Sequence, residues 1–99
     1  MNTRIERDRT AIRAYLSGRI DAAAATQLTE LLAQLQNSGC SQVTLDFEDI
    51  EFIGSSGIGI LRQFQQSIAS RGGTVSIVRC RPDIAQVFKI ARLDRLFSI

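Results

Sequence analysis

The chain opens on alternation. Ile12, Ala14 and Leu16 alternate with Ala11, Arg13 and Tyr15, which predicts a strand over 11–16. Thr3–Arg7 predicts a weaker strand before it. The polar group Glu6, Asp8 and Arg9 falls near the turn of the resulting hairpin. Ser17-Gly18 predicts the end of the second strand. The period then changes. Leu28, Leu31, Leu32 and Leu35 recur at helical spacing, and the Ala22–Ala25 run favours helix, so a helix is predicted over 22–37. Asp21 stands before it as an N-cap, where a carboxylate accepts free amide hydrogens. Gly39 suits the residue just past its end.

Gln42–Asp46 predicts a buried strand, with Val43, Leu45 and Phe47 on one side, and Asp49–Ile53 a short connection. From Ser56 to Arg71, Ile58, Leu61, Phe64 and Ile68 predict a second helix, stopped by Gly72-Gly73. Thr74–Val78 is β-branched and apolar, the composition of a central strand. Pro82 suits the first turn of a third helix with the stripe Ile84, Val87, Phe88 and Ala91. Leu93–Ile99 predicts a last turn and a brief edge strand. Strands linked by helices call for crossovers, hence a mixed sheet with a parallel part. The expectation is a single α/β domain over 1–99, with about 4–5 strands and the helices mainly on one face, since each carries one apolar stripe.

Composition narrows the function. Apolar residues are 44% of the chain, enough for a core. Twelve basic and ten acidic residues leave a charge of +2, with no Lys/Arg run and no aromatic stacking pattern. That argues against a nucleic-acid partner. No apolar run is long enough for a membrane span, so direct membrane insertion is not expected and a cytoplasmic location is. There is no histidine, and Cys40 and Cys80 form no CxxC pair. No metal, cofactor or disulfide is expected, and the cysteines read as small, semi-buried filler.

The candidate chemistry lies in Gly54-Ser55-Ser56-Gly57-Ile58-Gly59-Ile60-Leu61. A P-loop would need Lys and Ser/Thr where Ile60 and Leu61 stand. A nucleophile elbow would need Gly where Ile58 stands, and no histidine is available to activate a serine. An enzyme is therefore not expected. Two readings stay open. Gly54–Gly57 is a capped helix start, or it displays a serine whose phosphate would sit against unpaired amides at the positive end of a helix.

Four blocks resemble one family, in order and at compatible spacing. Ile53–Leu61 resembles the D-S-S-G-L-G-x-L hallmark of STAS domains of the anti-sigma-factor antagonist type. Before it stands Leu45-Asp46-Phe47, matching a Leu-Asp-hydrophobic element. Leu16–Asp21 resembles L-x-G-x-L-D, Gly72–Val78 resembles G-G-x-L-x-L-V, and Phe88–Phe97 resembles F-x-x-x-x-L-x-x-x-F. The chain departs from the hallmark at Gly54, where the family has Asp.

The resemblance implies a STAS-like fold and a regulatory adaptor. Such an adaptor binds a protein kinase with a GHKL-type ATP site that is itself an anti-sigma factor. Phosphorylation of the first serine releases the partner, and a cognate phosphatase restores binding. Ser55 matches the acceptor, with Ser56 as its fallback. Asp21, Gly54, Ser56, Gly57 and Ile58 are the expected partner-binding residues. Asp21, Glu48, Asp49 and Glu51 supply either polar rim contacts or solvated charge. The alternative is an adaptor that uses no phosphate, as a STAS subunit of a lipid-transport ABC machine or a signalling scaffold. The oligomeric state is not fixed by any of these features.

Overall fold

The computed structural model describes residues 1–99. Strands β1 (Asn2–Asp8) and β2 (Ala11–Ile20) form the hairpin. A 3-10 turn (Ala22–Ala24), α1 (Ala25–Asn37), β3 (Gln42–Ile53), α2 (Ser55–Ser70), β4 (Thr74–Val78) and α3 (Pro82–Ile90) follow. The sheet has four strands in the order β1-β2-β3-β4. The first pair is antiparallel and the other two are parallel. Both crossovers step in the same direction across the sheet. With the right-handed connection that strand twist favours, they put their helices on the same face.

That geometry decides which residues form the core. The register places Ile12, Val43 and Val75 in one row and Ala14, Leu45 and Ile77 in the next. All six are buried, together with Leu28, Leu32 and Leu35 of α1, Leu61 and Ile68 of α2, and Ile84 of α3. Phe88 lies edge-on between Phe47 and Phe97, with ring centroids at 6.2 and 5.5 Å. Such pairs add about 0.5–1.5 kcal/mol each beyond the area they bury.

The opposite face carries no helix and is polar. There Tyr15 pairs in register with Asp46, and Asp46 with Val78. Asp46 is only 2% exposed. Its carboxylate accepts hydrogen bonds from Arg13 (2.6 Å), Arg79 (2.9 Å) and the amide of Glu48 (3.1 Å). Arg79 also pairs with Glu48. Burial alone would raise the Asp46 pKa. The bonds from Arg79, Arg13 and Glu48 outweigh it and hold the carboxyl below its ordinary value.

Several boundaries differ from the sequence expectation. β2 continues through Ser17-Gly18 to Ile20, with Gly18 at φ +100° and shifts in its register against β3. β3 runs to Ile53, so Asp49–Ile53 is strand rather than connection. The alternation lapses at Glu48-Asp49 because both are exposed there, and the strand nevertheless keeps its partner. Asp21 caps the 3-10 turn through Ala24 (3.2 Å), and α1 begins four residues after it. β4 is an edge strand, not a central one. Its outer side is met by the tail, where the Ile77 amide donates to the Phe97 carbonyl (2.9 Å), and the expected fifth strand is absent. Ala91 is exposed and does not extend the buried stripe of α3.

The Asp46 cluster predicts a pH-dependent stability difference. Asp46→Asn keeps the shape but removes the charge facing two guanidinium groups, at a cost of about 1–3 kcal/mol near neutral pH. A depressed carboxyl pKa stabilises above the unfolded value of about 3.9 and loses that contribution as pH falls through the folded value. Denaturant unfolding of both proteins should therefore show a gap that is full at pH 6–7 (roughly) and narrows in acid. A gap independent of pH would contradict the assignment.

A serine pair at the mouth of the second helix

β3 ends at Ile53, beside Ile20 at the end of β2. The chain must then reverse into α2 within one residue. Gly54 makes that corner in an extended conformation, and its amide donates to the Ile20 carbonyl (2.9 Å). Gly54 is the N-cap of α2. The first intrahelical bond runs from the Ile58 amide to the Gly54 carbonyl (3.1 Å). The amides of Ser55, Ser56 and Gly57 therefore precede any intrahelical acceptor.

Ser55 and Ser56 occupy the first two helical positions, and both are exposed. Neither is the N-cap, and α2 has no side-chain cap. The helix start is capped by Gly54 rather than by a serine, which leaves both hydroxyls outside the cap. Gly57 is buried one turn position further on. A Cβ there would lie 2.6 Å from Ile20 Cγ2 and 3.3 Å from Ile53 Cγ1. Gly59 faces open space. The two glycines of the motif thus do different things: Gly57 permits contact with the strand ends, and Gly59 leaves the outer face of the helix bare.

Of the expected partner-binding residues, Asp21, Gly54, Ser56 and Gly57 converge on this corner. Asp21 directly follows Ile20, whose carbonyl holds Gly54. Its carboxylate caps Ala24 and lies 3.9 Å from Arg19. Ile58 is half-buried against the core. Glu51 and Asp49 are exposed on β3, while Glu48 is committed to Arg79 on the bare sheet face. A Cβ at Gly54 would meet the Phe52 ring at 3.5 Å and the Ile20 carbonyl at 3.8 Å, both ordinary contacts, so the backbone does not require glycine at that position.

Sequence reasoning missed two features. Phe52 is exposed beside the corner, with the Arg19 guanidinium 4.4 Å over its ring. A groove of about 520 Å³ starts at Ser55 and is lined by Ile58, Arg62, Arg92 and Leu96. The spacing of Ser55, Ile58 and Arg62 along one helix face could have signalled half of that groove. The other half comes from the tail, which no local pattern connects to α2. Cys80, in contrast, offers no nucleophile. Burial and the neighbouring Asp83 charge push its thiol up to about 11, so it is protonated at neutral pH.

The chain is a small α/β sheet with its helices on one face and two exposed serines at a helix mouth. The family model of the STAS domain matches residues 3–99, and the chain belongs to that family. A Thermotoga maritima protein named as a candidate anti-sigma factor antagonist is 30% identical over 63 residues. The match takes in 64% of this chain and 56% of that protein's length. The fold also matches two structures of SpoIIAA, the anti-sigma factor antagonist and Bacillus cell fate determinant. The unphosphorylated form gives a TM-score of 0.82 at 21% identity, covering 96% of this chain and 84% of that one. The phosphorylated form gives 0.75 at 21% identity, covering 96% and 87%. The chain is thus a STAS-domain protein similar to proteins named as anti-sigma factor antagonists, and those relatives carry names for regulation rather than for a reaction. No helix is long and apolar enough to cross a membrane.

The two glycines separate in a stability measurement. Gly57→Ala forces a methyl into the Ile20 side chain and should cost about 1–3 kcal/mol. Gly59→Ala meets nothing and should gain about 0.5–1 kcal/mol from helix propensity. Chemical denaturation of both variants checks the pair, and equal effects would contradict the packing described for Gly57.

Proposed function

We propose that this chain is a cytoplasmic partner-switching adaptor whose binding surface centres on Ser55. Unphosphorylated, it binds a GHKL-type kinase that acts as an anti-sigma factor. Phosphorylation of Ser55 by that kinase releases it, and a phosphatase resets it. The observation that carries this reading is the exposed Ser55 at the first position of α2. Its hydroxyl is not engaged in capping, and the amides around it have no intrahelical acceptor. Family membership and the likeness to SpoIIAA in both phosphorylation forms support the same reading.

The mechanism needs charge rather than a change of shape. A phosphate adds about −1.5 to −2 charges at pH 7. On the free protein, the amides of Ser55, Ser56 and Gly57 and the positive end of α2 would stabilise it. Under a docked partner, the same group would be stripped of water. Burying charge without full compensation costs several kcal/mol, and each 1.4 kcal/mol is tenfold in affinity. Release by about 10²-fold or more follows. Asp21, Gly54, Ser56, Gly57 and Ile58 form the contact surface around the acceptor, with Phe52 as an added apolar anchor.

Incubation with ATP and the GHKL-type kinase of the same genome should label Ser55, and Ser55→Ala should abolish the label. Ser55→Glu should weaken kinase binding at least tenfold in calorimetry, since one carboxylate supplies only part of the phosphate charge. Label confined to Ser56 would move the acceptor to that residue. An unlabelled chain whose Ser55→Glu variant binds like wild type would instead favour the phosphate-independent adaptor.

Gly54→Asp tests the departure from the family pattern. The position tolerates a side chain, and an N-cap carboxylate would take up an amide of the helix start. Stability should rise by a few tenths of a kcal/mol. The rate of Ser55 phosphorylation should change in the same experiment, and an unchanged rate would show that the acidic residue plays no part in presenting the serine.

A further inference from the structure

The outer edge of β1 is unpaired. β1 bonds β2 alone, at the end of the sheet. A free edge is a template for another strand unless it is short, broken by proline or blunted by charged side chains, which oppose pairing where like charges would meet. β1 has seven residues, Asn-Thr-Arg-Ile-Glu-Arg-Asp, with no proline and both signs of charge.

Laid antiparallel against a second copy, this segment is self-complementary about Ile5. Arg4 of one copy then faces Glu6 of the other, and Glu6 faces Arg4. Ile5 faces Ile5, and Thr3 faces Arg7. Neighbouring registers fail for identifiable reasons. Centring on Arg4 or on Glu6 brings like charges together at the axis, which is destabilising in a directly opposed pair. A shift by one residue turns the helix layers of the two copies to opposite sides of the sheet. The register about Ile5 keeps both helix layers on one side and sets Arg4 against Glu6 twice across the axis.

The surroundings fit the same occupant. Ile5 pairs with Ala14 and so lies on the helix face, where it is half-buried against the core. Beside it, a groove of about 690 Å³ between β1 and α1 is lined by Ile5, Ile12 and Ala33, with Arg7 and Glu30 at its rim. A second copy brings the same apolar strip and the same two opposite charges to the other side of the axis.

We infer that a second copy of this chain pairs antiparallel with the free edge of β1, centred on Ile5, so that the two four-stranded sheets join into one. The inference does not depend on the phosphorylation reading. Ser55 follows the end of β3, two strands in from this edge, and stays open in the dimer.

Sedimentation of the full chain from micromolar to near-millimolar concentration tests it. Wild type should show a reversible monomer–dimer equilibrium. Arg4→Glu or Glu6→Arg alone places like charges opposite each other twice per dimer, and should raise the dissociation constant about tenfold or more. The double variant Arg4→Glu with Glu6→Arg restores opposite charge in the same register and should recover dimerisation. In a Cys80→Ser background, Ile5→Cys should link to itself under mild oxidation, whereas Arg7→Cys, about 13 Å from its symmetry mate, should not. A monomer throughout the concentration range would overturn the inference. So would single charge variants that dimerise like wild type, or linking through Arg7→Cys in preference to Ile5→Cys.

Discussion

The absence of a side chain at Gly57 fixes where α2 begins. The helix start rests directly on Ile20 and Ile53, the last residues of two neighbouring parallel strands, and any Cβ would strike Ile20 first. That contact, with the bond from the Gly54 amide to the Ile20 carbonyl, ties the helix mouth to the rigid ends of the sheet. Ser55 and Ser56 are exposed because Gly57 is buried: on a helix of this pitch, the residues ahead of a buried third position turn outward. The Ser55 hydroxyl is thus presented by core packing rather than by a mobile loop.

The sheet supplies the frame for this arrangement. Two crossovers that step the same way put α1 and α2 on one face, α3 packs there through Phe88 against Phe47, and that face takes most of the buried apolar side chains. The other face has to be made stable in contact with water. Asp46 carries much of that task, since its buried carboxylate is held by Arg13, Arg79 and the Glu48 amide at the middle of the polar face. Arg79 reaches it from a left-handed backbone conformation just after β4 (φ +56°), where a non-glycine residue is disfavoured. The ion cluster therefore also governs how the chain leaves β4 toward α3.

Much of this was legible in the sequence because local pattern and tertiary environment agree. The leucine stripe of α1, the Val75–Ile77 alternation of β4 and Pro82 at the start of α3 all read as they fold. Legibility failed where tertiary contact overrides local pattern. Ser17-Gly18 and Glu48-Asp49 look like breaks, yet β2 and β3 carry each other through them by shifting register. β4 looks central because Val75 and Ile77 face the helices, but its outer side meets only the tail. At the site, the motif made Ser55 and Gly57 visible. It could not show that Phe52 would be left exposed or that Arg92 and Leu96 would arrive from the far end of the chain to line the groove beside Ser55. The role of Asp46 depends on arginines 33 residues away on either side, which no short pattern records.

In the proposed switch, a charge placed on a preformed surface controls binding while the fold stays as it is. Its most direct test compares the fully Ser55-phosphorylated protein with the unphosphorylated protein in calorimetric titrations against the same kinase, with amide NMR spectra of both forms. Phosphorylation should lower affinity by about 100-fold or more, with resonance changes confined to Ser55, Ser56, Gly57 and the adjoining strand ends. Equal affinity of the two forms, or a loss of affinity accompanied by changes throughout the core, would contradict it.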